Sequence, residues 1–514
     1  MSRTSLLRFA LVLGLAALPR AEAHAALASA PGGDKDTSEL DAAAKKLKDS
    51  DEKLRREGVQ ELAKLATPQA WALVIDALRD PSARVGDEAQ LALGTVSDAK
   101  VIDDLLGGKA LGGGEALTRL RAAEALGRIT SEVDALKLVQ HLDEKDDEVR
   151  RTIVWTLERR ARANRVSANV QPKAIAALDK LATKDRSDSV RAAALVALNV
   201  MDKVHGRELV EASLTDKDGT VRAGALHAAR DLDGVHKLGL ANRLAEDPDP
   251  SVRAETIDLY ESVGSKTGVV KLVARLEKEP NLRLRWRIVG ALQRLSGSDL
   301  ELNVPYWKKW ADGLPDTFAP ATPGPKKAQA KPAEGTTVFM GLPVLTERVA
   351  ILVDFSGSLW EKKSDGKTRK DLVDVELEKT LAKLTPQTKF NLIPYTNDPL
   401  PWEKALVPAS KENVTRALAF FRKCNATGKG NVWDAIELAL KDPEVDTVLV
   451  LTDGAPTGGK RWNLELMQSL LAEKNRFRHV AFDAVLVDAG KFLQGQWQAL
   501  CEQNNGRMEA FQLE

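Results

Sequence analysis

One phrase repeats along the first half of the chain and constrains its fold more than any other feature. It consists of an acidic or proline turn, a valine–arginine pair, then small and aliphatic residues at helical spacing. It stands as Asp147-Glu-Val149-Arg150, Asp188-Ser-Val190-Arg191, Gly219-Thr-Val221-Arg222 and Pro250-Ser-Val252-Arg253. Looser copies are Leu54-Arg55, Ala83-Arg84, Leu120-Arg121 and Leu284-Arg285. The arginines at 191, 222, 253 and 285 lie 31, 31 and 32 residues apart, and the glycine-rich stretch Gly107–Gly114 lengthens an earlier step. A unit of this length reads as a helix pair whose first turn is capped by the carboxylate or serine before it. The stripe Val221, Ala225, Leu226 and Ala229 recurs one unit later as Val252, Thr256, Ile257 and Tyr260. No single pair can bury such a stripe, so neighbouring units must stack into a solenoid. The regular Asp and Arg positions predict a ladder of ion pairs between units rather than a binding site.

The units from 38 to 298 resemble short HEAT repeats, of the kind also found in phycobilisome lyases. The resemblance implies an all-α solenoid whose concave face binds other proteins. A lyase-like activity in that groove is the alternative it leaves open, on fold analogy alone.

At 514 residues the chain is too long for one core. Its 75 basic and 74 acidic side chains give a net charge of +1, which supplies no electrostatic reason to expect a nucleic-acid partner. Residues 1–30 read as a secretory signal, with Arg3 and Arg8 ahead of the apolar run Leu11–Leu18 and small-residue cleavage sites at Ala21-Glu-Ala23 and Ala23-His-Ala25. That predicts an exported protein, periplasmic or extracellular, with no stable membrane span once the leader is removed. The two cysteines, Cys424 and Cys501, allow one disulfide or two small buried side chains.

Residues 299–335 form the boundary: Tyr306-Trp-Lys-Lys-Trp310 closes the array, and the Pro/Ala/Lys-rich stretch Pro315–Glu334 reads as a semi-extended linker. Relative motion of the two halves is then the expectation. From 336 to 514, strands alternate with helices. Arg348–Asp354, Lys389–Tyr395, Thr447–Thr452, Val480–Val487 and Arg507–Gln512 read as strands, with an edge strand near Lys404–Pro408. The pattern predicts an α/β, doubly wound, Rossmann-like sheet that is mainly parallel, with ligands bound beyond the carboxyl ends of its strands.

Two of those ends carry carboxylates, Asp354 and Asp453. After the apolar run Val349–Val353 comes Asp354-Phe-Ser356-Gly-Ser358, a carboxylate and two hydroxyls that a glycine turn lets converge. Few charges on hard oxygen donors suit Mg²⁺, which keeps some waters and leaves room for a partner's oxygen. This stretch, with Leu451-Thr-Asp453-Gly454 and the closing Leu500–Gly506, resembles the von Willebrand factor A (vWA) family over residues 336–514. The resemblance implies a metal-ion-dependent adhesion site holding Mg²⁺ (Mn²⁺ or Ca²⁺ as alternatives). Ser356 and Ser358 would bind directly, Asp354 and Asp453 directly or through water. A protein ligand's Asp or Glu would complete the shell.

The second loop departs from the family. Lys429-Gly430-Asn431-Val432-Trp433-Asp434 aligns with its Gly-Thr-Asn stretch and puts Gly430 where the family has a coordinating threonine. Thr427 replaces it only if the loop is remodelled, and Lys429 either opposes a cation or substitutes for it. Lys429, Asn431, Trp360 and Trp462 are the expected partner-contacting residues, while Trp433 falls at a packed helix position. A metal-free, purely structural vWA module is the remaining alternative. Enzyme chemistry has little support: Ser356 has no histidine base nearby in the C-terminal half except His479, and no phosphate loop, zinc spacing or acid dyad occurs.

Overall fold

The computed structural model describes residues 33–320, 337–362, 366 and 368–512. The expected leader and most of the expected linker lie outside these residues. Helices α1 (Gly33–Lys46) and α2 (Glu52–Leu65) pair, as do α3 (Pro68–Asp76) with α4 (Ala83–Leu93), and α5 (Ala99–Leu106) with α6 (Ala116–Arg128). Next come α7 (Ala135–Gln140), α8 (Asp147–Arg162), α9 (Gln171–Lys184), α10 (Asp188–Met201), α11 (Lys203–Ser213) and α12 (Gly219–Ala228). The array ends with α13 (Gly234–Leu244), α14 (Pro250–Val263), α15 (Lys266–Lys278), α16 (Leu282–Ser296) and α17 (Val304–Asp312).

The acidic turns do what their position dictates. Asp146, Asp218 and Asp249 sit at the N-caps of α8, α12 and α14 and accept backbone N–H bonds of the first turn, each worth about 1 kcal/mol. Even-numbered helices stack on one another in one layer and odd-numbered helices cover them. In α10 every residue from Ala192 to Leu198 is buried, because neighbours close on it from all sides. Small residues permit this: a Cβ on Gly224 would come within 2.5 Å of the Ala192 Cβ. The last helix, α17, seals the end with Trp307, fully buried and edge-on to Trp310.

The ion-pair ladder is present. Arg55 reaches Asp80 at 2.8 Å, Arg150 reaches Asp185 at 2.7 Å, Arg222 reaches Asp247 at 2.7 Å and Arg253 reaches Glu279 at 2.9 Å. Each of these arginines also donates to a carbonyl six residues earlier, such as Arg222 to Asp216 at 2.8 Å, so one guanidinium ties a turn to the next unit. Three of the looser copies depart from it. Arg84 pairs back with Glu52 of α2 at 3.4 Å, and the buried Arg285 Nε has no hydrogen-bond partner among the described residues. In α6 the ladder residue is Arg119, bound to Glu144 at 2.6 Å, whereas Arg121 is buried and donates to the Leu78 carbonyl. Arg119 is the fourth residue after the N-cap Glu115, the place that Arg55, Arg150, Arg222 and Arg253 hold after theirs, so the ladder follows the cap and not the aliphatic–arginine pair.

The α/β part opens with a tight hairpin, β1 (Val338–Phe339) and β2 (Leu342–Pro343), with Met340 and Gly341 at positive φ as a two-residue turn requires. The main sheet contains β3 (Arg348–Asp354), β4 (Lys389–Tyr395), β5 (Val407–Pro408), β6 (Thr447–Thr452), β7 (Ala481–Val487) and β8 (Met508–Phe511). Its order is β5-β4-β3-β6-β7-β8, parallel throughout except for the edge strand β5. Between the strands run α18 (Arg369–Leu381), α19 (Lys411–Lys423), α20 (Val432–Ala439), α21 (Leu464–Lys474) and α22 (Lys491–Gln503). The apolar runs of β3 and β6 are buried on both faces, as covering helices on each side demand. The chain leaves β3 to one side and returns to β6 on the other, so the β3–β6 crevice is the switch point of the sheet. Both cysteines are free thiols.

The expectation of two halves in relative motion is overturned. The α/β part lies against the even-helix layer, joined by pairs from one end of the array to the other. Arg461 reaches Asp87 of α4, Arg151 of α8 reaches Glu473, and Arg476 reaches Glu158 of α8. Further along, His479 reaches Glu255 of α14 and Arg283 of α16 reaches Asp483. Most are buried; burial works to raise the Glu158 carboxyl, but Arg476 and Arg162 outweigh it and hold it at about 2. The layer carrying the repeat arginines is thus occupied by the chain's own α/β part. Among the described residues no helix is long and apolar enough to cross a membrane.

Candidate functional site

The site forms where β3 and β6 end side by side. Asp354, the last residue of β3, is only 6% exposed. One carboxylate oxygen accepts the Ser356 N–H at 2.9 Å and the other accepts the Thr452 hydroxyl at 2.8 Å. Burial pushes the Asp354 carboxyl upward; those hydrogen bonds oppose it, while the charge of Asp453 adds to it. The turn after Phe355 brings the Ser356 and Ser358 hydroxyl oxygens to 3.2 Å from each other. Beside Asp354 on β4, Tyr395 is fully buried. Its hydroxyl lies next to Asp354 and Thr452 without hydrogen-bond geometry to either.

Asp453 faces Arg369, the first residue of α18, with 3.7 Å between charged atoms. Arg369 also donates to the Ser358 carbonyl at 3.0 Å and pairs with Asp488 at 3.3 Å, so it joins the first loop, residues 355–358 after β3, to the third, residues 453–463 between β6 and α21. The sequence reading placed Lys429 in that compensating role. Lys429 instead extends toward Glu52 of α2, 4.0 Å away, and remains largely exposed.

In the second loop, Gly428 pairs with Ser356 in an isolated parallel bridge. Gly430 follows, buried against Asp354: a Cβ there would lie 3.2 Å from each carboxylate oxygen and 3.5 Å from the Thr457 hydroxyl. The Gly430 N–H donates to Thr457 Oγ1 at 2.6 Å and the Thr457 N–H returns to the Gly430 carbonyl at 3.1 Å. Thr427 is exposed, and the hydroxyl that meets the Asp354 carboxylate is that of Thr452.

Three expected contact residues have other employment. Asn431 is 1% exposed and caps α20, bonding Asp434 and the Asn397 carbonyl, because the loop needs a buried amide to turn into the helix. Trp462 is sandwiched at the junction, under Arg56 and Arg84 at 5.0 and 5.6 Å, with its backbone N–H donating to Asp87 at 2.6 Å. Trp360 is half-buried, edge-on to Phe355, with Lys370 5.9 Å from its ring centroid. Trp433 is buried in the core, as its helix position implies. Arg369, Thr452 and Thr457 were not singled out from the sequence. Thr457 lies four residues after Asp453 with nothing in its spacing to mark it.

The donor set is Asp354, Ser356, Ser358 and Asp453, with Thr452 and Thr457 adjoining, all hard oxygen. Such a set fits Mg²⁺ and not a soft metal. The orphaned Tyr395 hydroxyl fits a site that holds an additional oxygen or ion. Another acidic group, Glu255 and Asp258 with His479, has ligand atoms within 4.8 Å of one another. There Arg230 and Arg287 already neutralise both carboxylates, which makes it an ion-pair network of the junction.

Comparison with known proteins agrees with both halves in part. Residues 40–110 match the family model for HEAT repeats. Human inter-alpha-trypsin inhibitor heavy chain H4 is 34% identical over 132 residues, which covers 23% of this chain and 14% of that protein. Human von Willebrand factor A domain-containing protein 3B is 27% identical over 109 residues, 21% of this chain and 8% of that protein. The chain therefore spans a small fraction of the length of the relatives it matches. Among solved structures, a human deoxyhypusine hydroxylase is 21% identical, covering 50% of this chain and 96% of that one at a TM-score of 0.23. A PilB minor pilin from Streptococcus sanguinis is 12% identical, covering 32% and 57% at a TM-score of 0.25. Scores this low carry no functional weight. HEAT repeats and vWA-type homology together describe a protein-interaction scaffold.

Proposed function

We propose that this chain is an exported, non-enzymatic adaptor whose vWA-type half binds an acidic side chain of a protein partner through a divalent cation, with Mg²⁺ as the physiological ion. The observation that carries the reading is the meeting of Asp354, the Ser356–Ser358 hydroxyl pair and Asp453 at the switch point of the sheet. Asp354 and Asp453 would balance the ion's charge, the serines would orient it, and its open face would polarise the partner's carboxylate. Lys429, exposed at the rim, would add attraction for an acidic surface. The solenoid acts as a rigid brace for this site, since its arginine-bearing layer is engaged by the α/β part.

A metal-free scaffold is the second reading, and Arg369 beside Asp453 favours it by supplying positive charge from within. Isothermal titration of the full chain with Mg²⁺ and Mn²⁺, against Asp354→Ala shown to be folded by circular dichroism, separates them. Saturable binding abolished by the substitution supports the cation site; no heat in either protein supports the second reading. Expression with a C-terminal tag followed by N-terminal sequencing of the envelope fraction tests export through removal of the leader.

A further inference from the structure

We propose that the Thr457 hydroxyl is a metal ligand of this site, delivered from the third loop into the place left by Gly430. This rests on the cation-site reading above. Gly430 lies against Asp354 with no room for a side chain of its own, since a Cβ there would stand 3.2 Å from both carboxylate oxygens. The Thr457 hydroxyl stands beside it, 3.5 Å from the same point. The two residues are locked by reciprocal backbone and hydroxyl bonds of 2.6 and 3.1 Å. Accepting the Gly430 N–H uses one lone pair of Oγ1 and leaves the second for a cation.

The next two residues show that the third loop is fitted to the second along its length. A Cβ on Gly458 would meet the Lys429 Cβ at 2.8 Å, and a Cβ on Gly459, at φ +87°, would meet Asn431 Oδ1 at 1.8 Å. Glycines at 458 and 459 therefore allow the third loop to lie directly on residues 429–431, which sets Thr457 opposite Gly430. The solenoid holds this arrangement from behind, as Asp87 of α4 accepts the N–H groups of Trp462 and Asn463 at 2.6 and 3.0 Å. Beside Asp354 lies the fully buried Tyr395 hydroxyl, which has no hydrogen-bond partner among the described residues. A hydroxyl missing from one loop is thus returned by another, and the oxygen count around the cation is kept.

The test uses the full chain with Mn²⁺ and Cd²⁺ as probes. Thr457→Val should weaken Mn²⁺ binding on the order of tenfold, within the range that loss of a group supporting a metal site produces, and Thr457→Ser should restore it. Thr457→Cys should prefer Cd²⁺ over Mn²⁺ and develop the ultraviolet sulfur-to-cadmium charge-transfer band, which a residue outside the coordination sphere does not produce. The wild-type chain, carrying the same Cys424 and Cys501, is the blank. Wild-type Mn²⁺ binding with an unaltered Thr457→Val affinity, or with no band in Thr457→Cys, overturns the assignment while leaving the cation site intact. Absence of Mn²⁺ binding in the wild type overturns both.

Discussion

Asp87 is the residue on which the junction between the two halves most depends. It sits on α4 with no exposed surface, and its carboxylate accepts the Trp462 and Asn463 N–H groups and lies 3.4 Å from Arg461. Arg121, equally buried, lies 3.9 Å away on the other side. Burial and the charge of Arg461 push Arg121 down to about 10, with Asp87 working against them. Asp87→Ala leaves two backbone donors without acceptors, each costing about 1–3 kcal/mol when buried. It also leaves two guanidinium groups facing each other; breaking one partner of a buried pair costs about 3–5 kcal/mol. Some water will enter, so the expected loss is about 3–5 kcal/mol rather than the sum. The assay is urea unfolding followed by circular dichroism, with hydrogen exchange of the 457–463 amides. The variant should lower the midpoint and raise exchange in that loop first, and a separate early transition would report undocking. A loss below about 1 kcal/mol with unchanged exchange would refute the claim that Asp87 anchors the third loop.

Three further outcomes are expected. Burial raises Glu124 to about 7, against the pull of Arg461, Arg128 and Arg151 and with Asp87 adding to the rise. The unfolded chain then releases this proton at lower pH than the native one, so native stability falls as pH climbs from about 4.5 to 7 and stays reduced above, by roughly 3 kcal/mol. Glu124→Gln should flatten that decline in thermal melts at pH 5 and 8, and an unchanged profile would contradict it. Gly430→Thr should weaken Mn²⁺ binding by titration, since its Cβ would crowd the Asp354 oxygens and displace Thr457; tighter binding would argue against the Thr457 assignment. The Cys501 thiol is buried and pushed well above its usual value, so a native-state thiol titration should label Cys424 alone, with Cys501 reacting only after unfolding.

The parts of this molecule that were legible in the sequence are those governed by local periodicity. The runs Val349–Val353 and Thr447–Thr452 announced buried parallel strands because both faces must be apolar, and their polar ends located the crevice. The ladder was legible because Val-Arg recurs at a fixed step after an acidic turn. Arg121 was taken for the ladder residue because it follows Leu120 as the other arginines follow an aliphatic residue, whereas counted from the helix cap Arg119 holds the position that meets Glu144. The docking of the halves was not legible, because Glu158 and Glu255 on two helices and Arg476 and His479 in the turn between α21 and β7 look like ordinary solvated charges. Trp462 was assigned to a rim for the same reason: nothing near it in sequence reveals Arg56 and Arg84 above it. Thr457 was missed because a loop of glycine and proline imposes no period, so its approach to Gly430 is a tertiary fact alone.

The most direct measurement is a crystal structure of the full chain soaked with Mn²⁺, with anomalous differences recorded. The account predicts one strong peak at the ends of β3 and β6, about 2.0–2.2 Å from the hydroxyls of Ser356, Ser358 and Thr457. A map with no peak there, and the Arg369 guanidinium moved in between Asp354 and Asp453, would contradict it.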